Sequence, residues 1–352
     1  MPAARQVEVS CTAHRSAHAC YRDLKDRQSL ALSSSRRKRS AHEVRFLEGL
    51  GFSNSSFVTV SGRFPTSLSP DSEIVSTSSS RWGSKWFFNI VRDRCRPLFA
   101  RLDQGGFGKR EEVSFVMDTK DYLFRHDHGS FWMASYRIPQ TIGRFMGSLL
   151  DSSAMFKLAT ALPWAFPKSQ IVLQDFMLPF HTAPSFLMGM QKILSYGGEE
   201  EQSGELQASE TSGIWPVWLL PMRGCDDILD AKKKKKGAKS NHRSIFSLRD
   251  PDPLRKDPLT SPHYCNAGAY GIPKVRGWRR SYSFVPCNKR LEALLHKCGG
   301  RKVLYSHAFY DRKFFYEELY DGKEYFRLRK KYCADNALPE IYDKVITKNG
   351  KL

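Results

Sequence analysis

The sequence has no Cys-x-x-Cys pair. Its eight cysteines, at 11, 20, 95, 225, 265, 287, 298 and 333, are scattered, which argues against a zinc site and for free thiols in a reducing compartment. Neither a GxGxxG nor a GxxxxGK[ST] loop occurs, so no glycine-rich phosphate cradle can be read. A GxSxG nucleophile elbow and an HExxH zinc helix are missing too. Met1–Leu30 lacks the apolar core of a secretory signal. The longest apolar stretch, around 154–167, is broken by Lys157, Pro163 and Pro167 and is too short to span a bilayer.

What is abundant is positive charge, and its location matters more than its sum. The formal net charge is +20 over 352 residues. Residues 1–45 carry ten Lys/Arg against four Asp/Glu, and residues 232–256 carry ten against two. The two segments hold a surplus of fourteen, so the remainder is mildly basic and charge says little about the core. Residues 1–41 read as a disordered basic tail. Two low-complexity stretches, 197–213 with five glutamates and 226–262 with five consecutive lysines, read as solvated insertions.

Between these segments the pattern becomes regular. Ile171–Leu178 is a strand candidate. Thr182–Ser195 has helical periodicity through Phe186, Leu187, Met190, Ile193 and Leu194, with Gly197 to stop it. Ile214–Met222 reads as a strand interrupted by Pro216, and Tyr264–Tyr270 as another. A helix capped by Asn288 and ended by Gly299-Gly300 follows, then a strand over Lys302–Phe309. The order predicts an α+β fold: a ferredoxin-like split β-α-β antiparallel sheet with helices on one face. Downstream, Asp311–Leu319 and Lys323–Tyr332 read as short helices around the turn Asp321-Gly322. Upstream, Ser84–Cys95 reads as a helix ended by Pro97.

Chemistry is sought where polar residues interrupt apolar strands. His126 and His128 would share a strand face, but with no third ligand nearby they read as a surface or structural pair. Gln174-Asp175 breaks the strand Ile171–Leu178, so one side chain must face inward and needs a partner. Trp218 and Tyr270, with Trp215, Phe176 and Phe180, supply flat walls for a core or for a large apolar ligand. Tyr305 and His307 would share one strand face, where a phenol or imidazole can donate a proton.

These stretches occur together in a recognisable order: Phe46-Leu47-Glu48-Gly49, Lys85-Trp86-Phe87-Phe88, Arg125-His126 before Phe131-Trp132, and Leu173-Gln174-Asp175 before Pro179. Trp215-Pro216-Val217-Trp218-Leu219, Gly268-Ala269-Tyr270-Gly271, Leu304-Tyr305, Tyr320-Asp321-Gly322 and Leu338–Lys344 follow. The order resembles the carboxyl-terminal half of the delta-24 sterol reductases of the seladin and diminuto type, which are vanillyl-alcohol-oxidase-like flavoproteins. The resemblance covers most of residues 42–346 and implies a cap and substrate domain that closes over FAD.

It also implies reduction of a sterol side-chain double bond, NADPH as reductant, and an endoplasmic reticulum membrane location. Arg125, His126 and Tyr305 are then the catalytic candidates, with Tyr305 a proton donor. Gln174, Asp175, Trp218 and Tyr270 are substrate-side groups, and Tyr342 and Lys344 flavin contacts. No metal is called for. The flavin domain and the family's amino-terminal membrane segment have no counterpart here, which implies a fragment, and Asn266 stands where the family has an acidic residue. Two other readings remain: a related flavin enzyme acting on a sugar lactone or alcohol, or a non-catalytic basic protein touching membrane or nucleic acid through Arg36–Arg39 and Lys232–Lys236. Nucleic acid is not expected, because aromatics are not interleaved with those basic runs. Peripheral membrane contact and the oligomeric state stay open.

Overall fold

The computed structural model describes residues 5–34, 44–68, 72–77, 83–105, 112–136, 138–143, 145, 151–162, 171–197, 211–223, 263–275 and 282–347. The chain divides into two compact units: Met1–Val172, Ser209–Leu220 and Ala269–Lys274 form the first, and Leu173–Ala208, Pro221–Gly268 and Val275–Leu352 the second.

The first unit opens with β1 (Gln6–His14), α1 (Ala17–Ser34), β2 (Phe46–Ser53), β3 (Ser56–Arg63), α2 (Phe87–Asp103) and β4 (Glu112–Asp118). These strands lie in the order β4-β1-β3-β2, and β1 pairs antiparallel with both β3 and β4. Strand alternation sorts the side chains by face. Thr12, Thr59 and Gly49 share one face, where Cys20 Sγ of α1 lies 3.7 Å from Thr59 Oγ1 and Arg27 Nη2 donates to Thr12 Oγ1 at 2.7 Å. Val9 and Phe115 share the other, where Arg94 of α2 stands over the Phe115 ring. One helix therefore covers each face. Past β4 come α3 (Thr119–Leu123), α4 (Gln140–Gly143) and α5 (Ser152–Ala161).

The expectation of a disordered tail over 1–41 is overturned for residues 6–34. Val7, Val9, Cys11 and Ala13 alternate into the interior, and Cys20, Tyr21 and Leu24 bury one stripe of α1. Arg27, part of the basic surplus, is bonded to Asp23 at 3.0 Å and to Ser61. Arg36–Arg39, and most of the two insertions (198–210 and 224–262), lie outside the described residues.

The second unit is built on β5 (Val172–Pro179), α6 (Ala183–Ser195), β6 (Val217–Arg223), β7 (His263–Gly271), α7 (Phe284–Lys297) and β8 (Arg301–Lys302), with the division falling within β6 and β7. The strand order β6-β7-β5-β8 repeats the pattern of the first unit: each is a β-α-β-β-α-β layer whose last strand lies beside its first. The predicted split β-α-β order is thus present. Here both helices share a face, since Phe176 packs on Phe186 of α6 while Gln174 reaches Asn288 of α7. Gly189 permits the close approach of these helices, because a Cβ there would lie 2.7 Å from Leu294. After β8 come α8 (Arg312–Phe314), a π-helical turn (Phe315–Leu319), α9 (Gly322–Lys331) and α10 (Ile341–Val345).

Several local expectations are corrected. The strand predicted over Lys302–Phe309 pairs with β5 at Arg301 and Lys302, and beyond that Ala308 forms one isolated parallel bridge with Ile346. Lys302 is buried, and its Nζ binds Glu292 Oε1 at 3.0 Å and the carbonyl of His307, which folds the following residues back instead of letting them extend. Asn288 does not cap α7 but lies inside it, donating to Phe284 O at 2.8 Å. Pro97 does not end α2, which continues to Asp103 with Leu98 and Phe99 buried; that burial offsets the usual cost of an interior proline. His126 and His128 sit in turns rather than on a strand.

Burial pushes the Glu292 carboxyl up and the Lys302 ammonium down, each against the pull of its partner. Lys302→Met should therefore cost roughly 3–5 kcal/mol by stranding a buried acid. Adding Glu292→Gln, which can still accept from Phe309 N, should restore more than half of the loss in urea unfolding. Equal losses for the single and double variants would refute the pairing.

Candidate functional site

The first unit gathers its polar groups around one carboxylate. Glu48 lies on β2 and is 1% exposed. Leu50 of the same strand pairs with Trp218 of β6, so Trp218 shares the Glu48 face two residues along. Its indole Nε1 donates to Glu48 Oε2 at 2.7 Å. The chain after α3 delivers two more donors: Arg125 Nε lies 2.8 Å from Glu48 Oε1, and His126 Nε2 lies 2.9 Å from Oε2. Arg125 also donates to Tyr122 O at 2.7 Å, with its guanidinium 4.1 Å from the Tyr122 ring centroid. Burial alone would push the Glu48 carboxyl up, but Arg125 and His126 outweigh it and hold it well below the usual carboxylate range. Burial would lower Arg125, and Glu48 more than compensates.

Aromatic rings enclose this centre. Phe131 stacks on the His126 imidazole with centroids 4.9 Å apart and 14° between planes, and Phe87 meets it edge-on at 5.4 Å. Phe131 also lies 5.2 Å from Trp218 and 5.0 Å from Tyr270. Trp132, fully buried, donates its Nε1 to Tyr270 O at 2.7 Å. The turn holding Phe131 is strained: Gly129, Ser130 and Phe131 have φ of 74°, 45° and 66°. A phenylalanine in the left-handed region is a genuine outlier, and such strain concentrates at ligand and catalytic sites. The second glycine of the Gly268–Gly271 stretch also has a steric reason. At φ 147°, a Cβ on Gly271 would collide with the Tyr136 ring, whose hydroxyl donates to Trp215 O at 2.8 Å.

The second unit holds a smaller polar group. Asp175 Oδ2 accepts from Tyr305 OH at 2.6 Å, and its Oδ1 from Asn266 Nδ2. Tyr305 is half exposed, so a phenol backed by a carboxylate faces solvent.

Of the residues proposed from sequence, Arg125, His126, Trp218 and Tyr270 come together in the first unit, and Asp175 and Tyr305 in the second. Gln174 is 1% exposed and lies on the opposite strand face from Asp175, where its Nε2 donates to Asn288 Oδ1 beneath α7 and its buried Oε1 finds no partner among the described residues. Tyr342 packs on Phe315 at 5.4 Å and donates its hydroxyl to Tyr310 O, and Lys344 is exposed on the five-residue α10. Sequence reasoning missed Glu48, although it is the only charged residue between Phe46 and Gly62. The signal that marked Asp175, a charge inside an apolar strand, was there to find it.

Comparison with known proteins assigns this arrangement a likeness. The chain resembles the Delta(24)-sterol reductases. It is 23% identical to those of Macaca fascicularis and Homo sapiens over 310 residues, covering 86% of this chain and 48% of theirs. It is 22% identical over 313 residues to the Delta(24)-sterol reductase homolog dhcr-24 of Caenorhabditis elegans, covering 87% of this chain and 48% of that protein. The chain spans about half the length of these curated relatives, and the likeness is to their carboxyl-terminal half. No family model matches it.

Glu48→Gln keeps the shape but removes the charge that the Arg125 guanidinium faces, and should cost about 3 kcal/mol. Because the folded carboxyl titrates below its unfolded value of about 4.3, its contribution is complete above that pH and fades as pH falls beneath it. The acid limb of stability should therefore flatten in Glu48→Gln; an unchanged slope would contradict the account. Ser130→Gly removes a left-handed serine whose buried Oγ finds no partner. It should stabilise by roughly 0.5–1 kcal/mol, and a loss in thermal unfolding would count against the strain.

Proposed function

We propose that this chain is the substrate-side part of an oxidoreductase that reduces the C24 double bond of a sterol side chain, with FAD as hydride carrier and NADPH as reductant, at the endoplasmic reticulum membrane. The observation that carries this reading is the Glu48 centre. It draws Arg125 and His126 from one stretch and Trp218 from another, both among those that resemble the sterol reductases, onto one carboxylate behind an aromatic wall. The described residues do not build a cradle for either dinucleotide: the Tyr342 hydroxyl is occupied and Lys344 stands alone on a short exposed helix.

What the chain's own residues do is hold substrate and proton. Phe131, Trp218 and Tyr270 offer flat apolar surface to a sterol side chain. Glu48, accepting at His126 Nε2, orients the imidazole and leaves Nδ1 as the ring nitrogen that can pass a proton to carbon. Arg125 helps keep Glu48 ionised, so the carboxylate stays an acceptor that fixes the ring.

A second reading rests on a different observation. Asp175, Asn266 and Tyr305 form the kind of hydrogen-bonding lining that a sugar lactone or alcohol needs, which suits another flavin-dependent oxidoreductase. Titration of tryptophan emission separates the two. A Δ24 sterol should quench it, Trp218→Phe should remove most of the quench, and a sugar lactone should leave it unchanged. Quenching by the lactone and none by the sterol would replace the first reading with the second. In the catalytically competent protein, His126→Gln should lower turnover roughly 100-fold or more; full activity would exclude His126 as the acid.

A further inference from the structure

Helix α9 carries five cations in ten residues against one acid, Glu324. Arg329 turns inward: it is 9% exposed, and its guanidinium donates to the carbonyls of Ala334, Leu338 and Pro339 and to Asp335 Oδ1. The other four, Lys323, Arg327, Lys330 and Lys331, are exposed. At about 100° per residue they fall within roughly 100° of the helix circumference and about 12 Å of its length. Arg327 is bonded to both oxygens of Glu324 at 2.6 Å. Among the described residues no acid engages the three lysines, so the stripe faces solvent as unopposed positive charge.

Aromatic rings stand among these charges. Phe326 lies about 40° from Lys330 around the helix and is 38% exposed. It is backed by Tyr316 and Tyr325, with ring centroids at 4.9 and 5.2 Å. Tyr332, the residue that follows α9, is 69% exposed, and Lys331 Nζ lies 5.3 Å from its ring centroid.

The two basic runs at 36–39 and 232–236 offer charge without rings, whereas α9 offers both. A polyanion that also presents flat rings is a nucleic acid, whose phosphates call for cations and whose bases call for aromatic faces. In a duplex the base faces are already stacked on one another, so exposed rings suit a single strand. An acidic peptide would use the cations and leave the rings idle.

We infer that α9 and Tyr332 form a binding surface for single-stranded nucleic acid, with Lys323, Lys330 and Lys331 on phosphates and Phe326 and Tyr332 against bases. The inference does not rest on the sterol reading. It departs from the expectation of no nucleic acid, which concerned the two basic runs alone.

Fluorescence anisotropy of a labelled oligouridine, titrated with the full chain, tests it. Replacing Arg36–Arg39 and Lys232–Lys236 by alanine removes the competing charge, and binding should persist in that background. There, Lys323→Gln/Lys330→Gln/Lys331→Gln should weaken binding at least tenfold. It should also lower the slope of log affinity against log salt by about 2, the counterion release expected of three phosphate contacts. Tyr332→Leu keeps every charge, and should lower affinity about fivefold or more with the salt slope unchanged. Absence of binding at low salt would overturn the inference, as would either variant binding like its parent. Polyglutamate displacing the probe as readily as unlabelled oligouridine would overturn it too, because the occupant would then be an acidic protein segment.

Discussion

A carboxylate removed from water has to find its hydrogen bonds inside the protein, and Glu48 finds three, from a guanidinium, an imidazole and an indole. Leaving any of these unmade would cost more than making it stabilises, so the carboxylate dictates where two distant stretches of chain must lie. The turn after α3 has to deliver Arg125 and His126 together. β6 has to pair with β2 in the one register that places Trp218 on the same face. The aromatic wall follows, because an imidazole fixed by Glu48 offers Phe131 a surface to stack on, and the strained backbone from Gly129 to Phe131 is the local cost of reaching it.

The same economy appears on a smaller scale in the second unit, where Asp175 holds Tyr305 and Asn266. The two units share the β-α-β-β-α-β strand order but cover their sheets differently, with a helix on each face in the first and both helices on one face in the second. In the second, that puts Asp175 on the strand face opposite Gln174, its neighbour in sequence, which is buried beneath the helices. One residue of offset on a strand separates a polar group that can meet a ligand from one that locks a helix in place.

Legibility in the sequence followed how local the determining physics was. Strand β5, helix α6 and the turn at Asp321-Gly322 depend on periodicity and turn chemistry within a few residues, and were readable. The alternation of Val7, Val9, Cys11 and Ala13 and the stripe through Cys20, Tyr21 and Leu24 were equally plain, but the segment's net charge was given more weight than its period. Charge describes a segment's solubility; periodicity describes whether it has a face to bury. The chain after Lys302 was misread because its course depends on a buried ion pair to Glu292, which no local pattern announces. Glu48 showed as an isolated charge in an apolar strand, while its partners, 77 to 170 residues away, needed the fold. The likeness to sterol reductases named Arg125, His126 and Tyr305 as catalytic candidates and Gln174, Asp175, Trp218 and Tyr270 as substrate-side groups, without saying which of them meet.

The central claim is that Glu48 and His126 act as one unit. A double-mutant cycle of Glu48→Gln and His126→Gln, read by urea unfolding at neutral pH, measures this without requiring turnover. A coupling energy of roughly 1–3 kcal/mol, as residues in one hydrogen-bond network show, is the predicted result. Additive losses, with coupling indistinguishable from zero, would show that the carboxylate does not hold the imidazole and would contradict the account.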